Sequence, residues 1–350
     1  MPAEQASHVL RPFVASLVVG DPISHLNLTV IPLRGNGQAP IDYVLGADAI
    51  EAGTLTVTEI SEGGSVPELL VTSTTDQMVL LLDGEELIGA KQNRILNTSI
   101  LLPPRANKVK IPVSCVEQGR WRHVSPAFAM GSYSPSRLRA RKSRHVSRSL
   151  MEHGVAASDQ GEVWEEVEDV VAEARAASPT MAMADAVEQR RESLDSYTEA
   201  LQYPEGARGV LVAIDGKFAA LDIFEKPDIL QRIWQRLVTG YALDAIRTPD
   251  GEHEPIEPEA VGKIMEQVAE VACEPCPSVG IGEDWRFESE AVIGQALVAE
   301  DACVHLSAFP NAGDDRGRVR GPRIESPSRR GRRQRRRERG DQDSTPELFE

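Results

Sequence analysis

Short apolar runs alternate with turn-forming residues over the first third of the chain. The runs are rich in β-branched residues and are separated by clusters of Gly, Pro, Asn and Asp, a pattern typical of strands. We expect strands at 26–33, 55–60, 69–73, 77–82, 94–102 and 108–116. This part of the sequence predicts a mainly antiparallel sheet structure, either a sandwich or an open barrel.

The apolar period changes to that of helices after about residue 135. The residues at helical spacing in the first of these segments are Trp164, Val167, Val170, Val171 and Ala174, and a second long helix is expected over 183–202. Runs 210–214 and 218–224 flank Asp215-Gly216, a strong hairpin signal. Two further helices are expected, one with Pro227 in its first turn and one over 258–272.

Strand patterns return at 285–290, 292–298 and 303–309. Because strands follow the helices, they are expected to complete the first sheet. The predicted fold class is α+β, mainly antiparallel, with a helical insertion and returning C-terminal strands. The expected organisation is a flexible N-terminus (1–12), a single domain (13–311; β-rich 24–120, helical 135–202, mixed 208–311) and a disordered Arg-rich tail with an acidic terminus (312–350).

Composition and charge narrow the function classes. Hydrophobic residues make up 41% and charged residues 26%, and apolar runs are too short to cross a bilayer, so we expect no membrane partner. The N-terminus has no basic region followed by a cleavage pattern, which predicts a cytoplasmic protein. The net charge of −16 combines an acidic body with twelve arginines at 316–340. This tail lacks aromatic residues that could stack on bases. Its composition therefore favours a nonspecific electrostatic contact with a polyanion over sequence-specific recognition of nucleic acid.

The four cysteines, Cys115, Cys273, Cys276 and Cys303, are too sparse for a disulfide framework. Cys273 and Cys276 form a CEPC motif, but the sequence lacks a second ligand pair that would complete a zinc site. The motif also follows a helical pattern instead of lying at a strand-to-helix turn, the context of redox motifs. We expect two thiols in a loop.

The segment DGEELIGAKQNR (83–94) follows the apolar run MVLLL and is dense in groups capable of function. Adjacent Glu85 and Glu86 are expected to point to opposite sides of a strand, whereas Asp83 and Glu85 point the same way. Asp83 and Glu85 therefore form a candidate acid/base pair or divalent-metal pair, which leaves any metal cofactor undetermined. Lys91 and Arg94 are spaced to neutralise these carboxylates or to hold a phosphate, and Gln92 and Asn93 lie between them. The alternative is a solvated turn with surface ion pairs of little energetic value.

A second charged strand end occurs at 108–117. Val109, Ile111, Val113 and Cys115 alternate onto one face, which favours a buried, inert Cys115 over a nucleophile. Glu117 continues this face and requires a polar pocket or an exit from the core. Gln118, Arg120 and Trp121 follow directly. Trp121 is a candidate for stacking on a base, although a large aromatic residue here is also typical of a core.

Two other segments contain candidate anion ligands. The loop SEGGSVPE (61–68) can present backbone N–H groups to a phosphate. The segment SPSRLRARKSRHVSRS (134–149) carries six basic residues and no acidic one. It is either a phosphate or nucleic-acid patch or a helix face that balances the acidic body, and the sequence leaves both interpretations open.

Taken together, five blocks resemble one known family. They are SEGGSVPEL, LLLDGEELIGAKQNRILNTSILLP, IPVSCVEQGRW, VGIGED and VHLSAF. The resemblance, over roughly residues 10–310, is to the family named for its association with ADP-ribosylglycohydrolases and rhodanese-phosphatase-superfamily proteins. The Arg-rich tail, the acidic terminus and CEPC fall outside the pattern. The name implies a setting of ADP-ribose and phosphate-ester chemistry but no particular mechanism.

Two hypotheses of function follow. In the first, the domain binds or processes a phosphorylated small molecule of nucleotide or ADP-ribose type. Its candidate acid/base or metal-binding groups are Glu85, Glu86 and Glu117, and its candidate ligand-binding residues are Lys91, Gln92, Asn93, Arg94, Gln118, Arg120 and Trp121. In the second, a noncatalytic adaptor or sensor binds a protein or nucleic acid through its charged segments. The two charged strand ends are expected to meet, with Glu85 or Glu86 and Glu117 within about 10 Å of Lys91 or Arg94, the scale of a small ligand. Convergence in a concave pocket favours the first hypothesis, and a flat arrangement favours the second.

Overall fold

The structure is a computed structural model that describes residues 2–35, 41–247 and 255–311. The helices are α1 (Pro2–Ala15), α2 (Gly46–Glu51), α3 (Ser136–His153), α4 (Gln160–Glu173), α5 (Met183–Gln189), α6 (Arg191–Ala200), α7 (Pro227–Ala245) and α8 (Pro258–Glu270). The N-terminal strands are β1 (Val18–Val19), β2 (Ile23–His25), β3 (Leu28–Arg34), β4 (Tyr43–Leu45), β5 (Leu55–Glu59), β6 (Glu68–Ser73), β7 (Met78–Leu81), β8 (Glu85–Gly89), β9 (Arg94–Leu96), β10 (Ile100–Leu102), β11 (Val109–Cys115) and β12 (Phe128–Tyr133). The later strands are β13 (Gly209–Ile214), β14 (Lys217–Phe224), β15 (Cys273–Pro277), β16 (Glu283–Glu288), β17 (Val292–Ala299) and β18 (Ala302–Pro310).

Six N-terminal strands form a curled sheet in the order β12-β8-β9-β11-β6-β5. Its edge strands β12 and β5 contact each other, so the sheet closes into a half-barrel. The alternating residues Leu55 and Val57 on β5, and Ile111 and Val113 on β11, point into an apolar interior. The six strands, called the half-barrel sheet below, enclose one of the hydrophobic cores.

A small sheet of three strands, in the order β10-β7-β4, separates this interior from a second core. Val79 and Leu81 of the MVLLL run pack inside the half-barrel. Leu80 and Leu82 point the other way, into the core beneath the largest sheet. The strand is thus covered on both faces, and the uninterrupted apolar run follows from these two buried faces.

The largest sheet has nine strands in the order β1-β3-β13-β14-β18-β17-β16-β15, with β2 also paired to β3. The predicted hairpin is β13–β14, and its turn residues Asp215 and Gly216 have φ of 50° and 69°. Two consecutive positive φ values fit the tight hairpin turn that Asp-Gly favours. The C-terminal strands join β3 through this hairpin, so they return to an N-terminal strand but not to the half-barrel sheet. The mixed α+β fold class is confirmed.

One helical expectation is corrected, and the N-terminal segment is helical. The expected long helix over 183–202 is split at Arg190 into α5 and α6. Met183 and Ala186 pack outside the half-barrel with α4, whereas Leu194 and Tyr197 enter the core beneath the nine-stranded sheet, and a straight helix would not reach both. The terminus expected to be flexible up to residue 12 forms α1, whose Leu10 and Val14 are buried against the nine-stranded sheet. Their four-residue spacing places them on one apolar face.

The cysteine expectation is wrong in one respect, because CEPC forms the edge strand β15 and not a loop. Side chains alternate along a strand, so Cys273 and Cys276, three positions apart, enter different apolar clusters. All four cysteines are free and buried. Since the two CEPC thiols point to opposite faces, they cannot act together as a dithiol.

None of the described helices is long and apolar enough to cross a membrane. The Arg-rich tail and the acidic terminus lie outside the described residues, so the expectations about their disorder and their polyanion contact remain predictions.

Candidate functional site

The polar end of the half-barrel interior is built by strands whose inward faces change from apolar to polar. On β5 the inward residues are Leu55, Val57 and finally Glu59. On β11 they are Ile111, Val113 and Cys115, and Arg94 at the start of β9 is the Cα partner of Cys115. Opposite residues on paired strands point to the same face. Glu59, Arg94 and Cys115 therefore meet at one end of the half-barrel, which we call the mouth.

Arg94 is the central cation of the mouth and is fully buried. Its Nη1 donates to Gln92 Oε1 at 3.1 Å and to the carbonyl oxygen of Asn93 at 3.4 Å. Its Nε and Nη2 have no hydrogen-bond partner within the described part of the chain. Burial lowers the pKa of this guanidinium, although nearby acidic groups, including Glu59, oppose the shift. An arginine held by neutral groups alone, with two nitrogen atoms unpaired, is poised to bind an anion.

Lys91 and Trp121 form the outer side of the mouth. The Lys91 ammonium lies 5.3 Å from the centre of the Trp121 ring, and the Arg94 guanidinium carbon lies 5.8 Å from it. Lys91 Nζ also donates to the carbonyl oxygen of Glu62 in the 61–66 loop. Lys91 and Arg94 are buried, whereas Trp121 is 48% exposed, so the ring lies between the two cations and solvent. The cation–π contacts keep the ring over the mouth.

The glycine loop predicted to bind phosphate does lie at the mouth. Gly64 has a φ of +76°, and a Cβ there would come within 3.0 Å of Lys91 Cδ and 3.2 Å of the Trp121 ring. The left-handed conformation therefore favours glycine, and a Cβ there would press on both side chains. This loop covers the outer side of the mouth next to Lys91.

Glu59 was not predicted as a site residue, but it is the carboxylate of the mouth. Its Oε1 accepts a hydrogen bond from the backbone N–H of Lys91 at 3.1 Å. Its Oε2 is buried, with no partner among the residues that the structure describes. The continuation of the Leu55–Val57 alternation onto Glu59 was the sequence signal that could have revealed it.

Cys115 is buried, as the alternation of β11 favoured. Its thiol donates to Gln92 Oε1 and to the carbonyl oxygen of Glu117, each at 3.2 Å. Burial raises its pKa, although the positive charge of Arg94 acts in the opposite direction. The indole of Trp164, another residue that the site prediction omitted, lies beside the thiol. Cys115 therefore serves as packing at the base of the mouth.

Glu117, Asn93 and Arg120 link the two predicted strand ends. Arg120 donates to both Glu117 oxygens, at 2.8 and 2.6 Å, and Thr180 and the Asn93 N–H donate as well. Arg120 also binds Asn93 Oδ1 and the carbonyl oxygens of Gly89 and Ala90. Burial acts to raise the pKa of Glu117, but these hydrogen bonds and the Arg120 charge hold it below its ordinary value. The hydrogen-bonding atoms of Glu117 and Arg120 are thus occupied, and the two residues fix the β8–β9 turn to the end of β11. The Gln118 carbonyl oxygen accepts a bond from Gln92.

Glu86 is on the face opposite Arg94. Leu87 is the Cα partner of Arg94 and Glu86 that of Ile95, so the Glu86 and Arg94 side chains leave the ladder on opposite sides. Ser132 donates to Glu86 Oε2 at 2.9 Å, and Oε1 has no partner in the described ranges. Complete burial raises the pKa of Glu86 to about 7. The charge of Glu117 adds to this rise in pKa, and Asn93, whose backbone N–H binds Glu117, lies near the Glu86 carboxyl group.

Asp83 and Glu85 lie away from the mouth. Glu85 accepts from Arg236 of α7 at 2.9 Å, and Asp83 binds Lys142 and Arg139 of α3. Lys91 and Arg94 therefore neutralise neither carboxylate, because the β8–β9 hairpin places the two cations at its other end. The expectation that they neutralise Asp83 or Glu85 is wrong. No cluster of three candidate metal ligands occurs within the described ranges.

The basic segment 134–149 forms α3, and its cations mostly bind this protein's own carboxylates. Arg139 makes a bidentate pair with Asp222, at 2.9 and 2.6 Å, and both side chains are almost completely buried. On the outer side, Arg137 and Arg141 both pair with Glu166. These contacts favour the interpretation that the helix balances the acidic body. We call Asp83, Arg139, Lys142 and Asp222 the α3 ion-pair cluster.

His305 and Ser99 extend this cluster and were not predicted from the sequence. Ser99 Oγ lies 2.7 Å from His305 Nδ1, and His305 Nε2 lies 3.4 Å from Asp222 Oδ1. The residue types are those of a hydrolytic triad, but all three side chains are buried and Asp222 is paired with Arg139. The arrangement is therefore a structural network. His305 falls in the block VHLSAF, which carried the family resemblance and was the available signal.

A surface groove of about 400 Å³ lies along α6 and α7, away from the mouth. Its lining includes Arg232 and Arg236, which are engaged by Asp48 and Glu85. With its cations already paired, this groove is a weaker candidate than the mouth.

The fold and the site define an α+β protein whose half-barrel interior ends in a buried arginine, a glutamate and a tryptophan. Residues 16–309 match the model of the ARG and Rhodanese-Phosphatase-superfamily-associated Protein domain, and the chain belongs to this family. The resemblance deduced from the sequence is confirmed. Neither the curated proteins nor the solved structures contain a match to the chain.

Proposed function

We propose that the mouth binds the phosphate of a small molecule of nucleotide or ADP-ribose type. The observation that carries this proposal is the fully buried Arg94 with its unpaired Nε and Nη2. A buried charged group without a counterion costs several kcal/mol, and an oxyanion would provide both the charge and the acceptors that Arg94 lacks.

The charge balance supports an anionic ligand. Lys91, Arg94 and Arg120 give the mouth three positive charges, and Glu59 and Glu117 give it two negative ones. Glu86, on the opposite face, has a pKa of about 7 and adds little negative charge below that pH. The excess of one positive charge would attract a phosphate group to this end of the half-barrel.

Glu59 and Trp121 suit the rest of such a ligand. Glu59 Oε2 is an available acceptor for a sugar hydroxyl group, and carboxylates commonly bind ribose in this way. Trp121 has one face toward Lys91 and Arg94, and its exposed part provides a surface for stacking on a base. A phosphate, a sugar and a base would thus each have a partner at the mouth.

Binding is the part of this hypothesis that the contacts support, and we assign no catalytic residue. Glu85 and Glu117 are engaged by arginines, and Glu86 points to the face away from Arg94. The convergence of buried charged groups at the mouth favours a small ligand over a flat adaptor surface. Free, buried cysteines are compatible with the proposed cytoplasmic location.

The test is isothermal titration of the full chain with ADP-ribose, AMP and inorganic phosphate. Arg94→Met should weaken ADP-ribose binding by about 10- to 150-fold, because charge-assisted hydrogen bonds contribute about 1.5–3 kcal/mol. Lys110→Met is the matched control, since Lys110 lies on β11 but pairs at the surface with Glu68. Failure of the wild-type chain to bind any of the three ligands, or equal binding by the Arg94 variant, would contradict the proposal.

A further inference from the structure

A row of polar side chains crosses the nine-stranded sheet. Arg286 on β16, Gln295 on β17, Ser307 on β18 and Asp222 on β14 are successive Cα partners. Because directly opposite residues share a face, all four side chains point to the same side of the sheet. Each is at most 2% exposed, so the row lies inside the protein.

Helix α3 covers this row. Arg139, near its start, binds Asp222 on β14, and Val146 and Leu150, near its end, share an apolar cluster with Cys276 on β15. The helix therefore crosses the strands in the order of the row. The turns that carry Ser143 and Ser147 consequently lie over the strands between β14 and β15, and both side chains are buried.

The groups between α3 and the row are short of partners. Arg286 is held through Nη2, which donates to Asp284 at 2.7 Å and to Thr98 at 2.8 Å. Among the described residues, no hydrogen-bond partner is present for Arg286 Nε and Nη1, Gln295 Nε2, or the hydroxyl groups of Ser143, Ser147 and Ser307. Folded proteins satisfy nearly all buried polar groups, and each unsatisfied group costs about 1–3 kcal/mol.

All six unpaired groups can donate a hydrogen bond: the three nitrogen atoms of Arg286 and Gln295 donate only, and the three serine hydroxyls can also accept. The nearby carboxylates are engaged: Asp222 by Arg139 and Tyr241, Asp83 by Lys142 and Arg139, and Asp284 by Arg286 and Thr98. A water molecule could bridge some of these groups, but it carries no negative charge to place beside Arg286, whose partner Asp284 is shared with Thr98. A ligand made mainly of acceptor oxygens, and carrying negative charge beside Arg286, satisfies the site better.

We propose that a small inorganic oxyanion of the phosphate or sulfate type binds between α3 and the polar row. Arg286 provides its charged contact, and Gln295, Ser307 and the α3 serines provide neutral donors. The site is separate from the mouth and does not depend on the function proposed there. Burial, together with repulsion from Arg139 and Arg286, lowers the pKa of Lys142 to about 8, and a bound anion would relieve this repulsion.

The experiment measures the anion that the folded protein retains. The full chain is dialysed against buffer free of phosphate and sulfate, then denatured, and the released oxyanions are quantified by ion chromatography. We expect one oxyanion per chain from the wild type and from Arg94→Met, because an enclosed site exchanges slowly. Gln295→Glu should release none, since its carboxylate would pair with Arg286 and repel the anion without a change in side-chain size.

A second measurement addresses the case in which the bound anion is lost during dialysis. Added phosphate or sulfate should raise the Tm of Arg94→Met, whose mouth is disabled, but not that of the double variant with Gln295→Glu. If Gln295→Glu fails to fold, Ser307→Ala takes its place and should retain less anion. The proposal is overturned if the wild type releases no oxyanion and the Tm of Arg94→Met does not respond. It is equally overturned if folded Gln295→Glu retains as much as the wild type, because the anion then lies elsewhere.

Discussion

The mouth of the half-barrel and the α3 ion-pair cluster both contain a completely buried arginine, but they differ in what that arginine contacts. Arg139 binds both oxygens of Asp222, whereas Arg94 contacts an amide and a backbone carbonyl and has two unpaired nitrogen atoms. The cluster thus satisfies its charges internally, and the mouth does not. Unpaired buried atoms, more than charge density, identify the place where a ligand can contribute.

The largest expected effect separates these arginines by stability. Arg139→Met should lower the free energy of unfolding by about 3–5 kcal/mol, because it leaves buried Asp222 without its arginine and Asp83 with Lys142 as its remaining cation. Arg94→Met should leave it unchanged or raise it, because the substitution removes a buried charge without a direct carboxylate partner and loses only hydrogen bonds to neutral groups. Urea unfolding of the two variants, with Lys110→Met as the surface control, measures the contrast. Equal losses would show that Arg94 is structural and would remove the basis of the comparison.

A second effect concerns Glu86, whose folded-state pKa of about 7 is above its ordinary value of 4.5. Between these values the folded protein holds a proton that the unfolded chain has released, so this group lowers stability as pH rises through the window. Glu86→Gln cannot ionise. The difference in the free energy of unfolding between Glu86→Gln and the wild type should therefore change with pH. From pH 4.5 to pH values above 7 it should shift by about 3 kcal/mol in favour of the variant.

Urea unfolding at pH 5 and pH 8 tests this prediction. Other titrating groups are common to both proteins and cancel in the difference between them. Parallel pH profiles for Glu86→Gln and the wild type would mean that the carboxyl ionises normally, and Glu86 would then belong with the satisfied carboxylates of the cluster.

The smallest expected effect on stability is at the rim of the mouth. Trp121→Ala should change the free energy of unfolding by less than about 1 kcal/mol, because the ring is half exposed and its cation–π contacts are weak. It should nevertheless weaken AMP binding more than ribose 5-phosphate binding, by at least about fivefold, the lower range for loss of stacking on a base. Titration of both ligands provides the ratio, and an unchanged ratio would exclude base stacking on this residue.

Local patterns predicted the elements of this fold well, but partners distant in sequence decided the site. The alternation of β11 correctly buried Cys115, and Asp215-Gly216 correctly placed a hairpin. The sequence could not show that Arg236, 151 positions after Glu85, neutralises it. It also could not show that Arg139 would be buried against Asp222, since basic residues on a helix usually face solvent. Glu59 was overlooked because a glutamate at a strand end resembles a surface residue until the sheet curls around it.

The order of the strands also bears on how the chain reaches its fold. All strands of the half-barrel sheet lie between residues 55 and 133, whereas β3 of the nine-stranded sheet pairs with β13, about 180 positions later. Pairings between distant segments form slowly because the closure of long loops is entropically unfavourable. During synthesis, the half-barrel strands emerge together, while β3 must wait for the β13–β14 hairpin. The two sheets therefore differ in the time at which they can assemble, and β3, already paired with β1 and β2 on one edge, waits longest for the partner of its other edge.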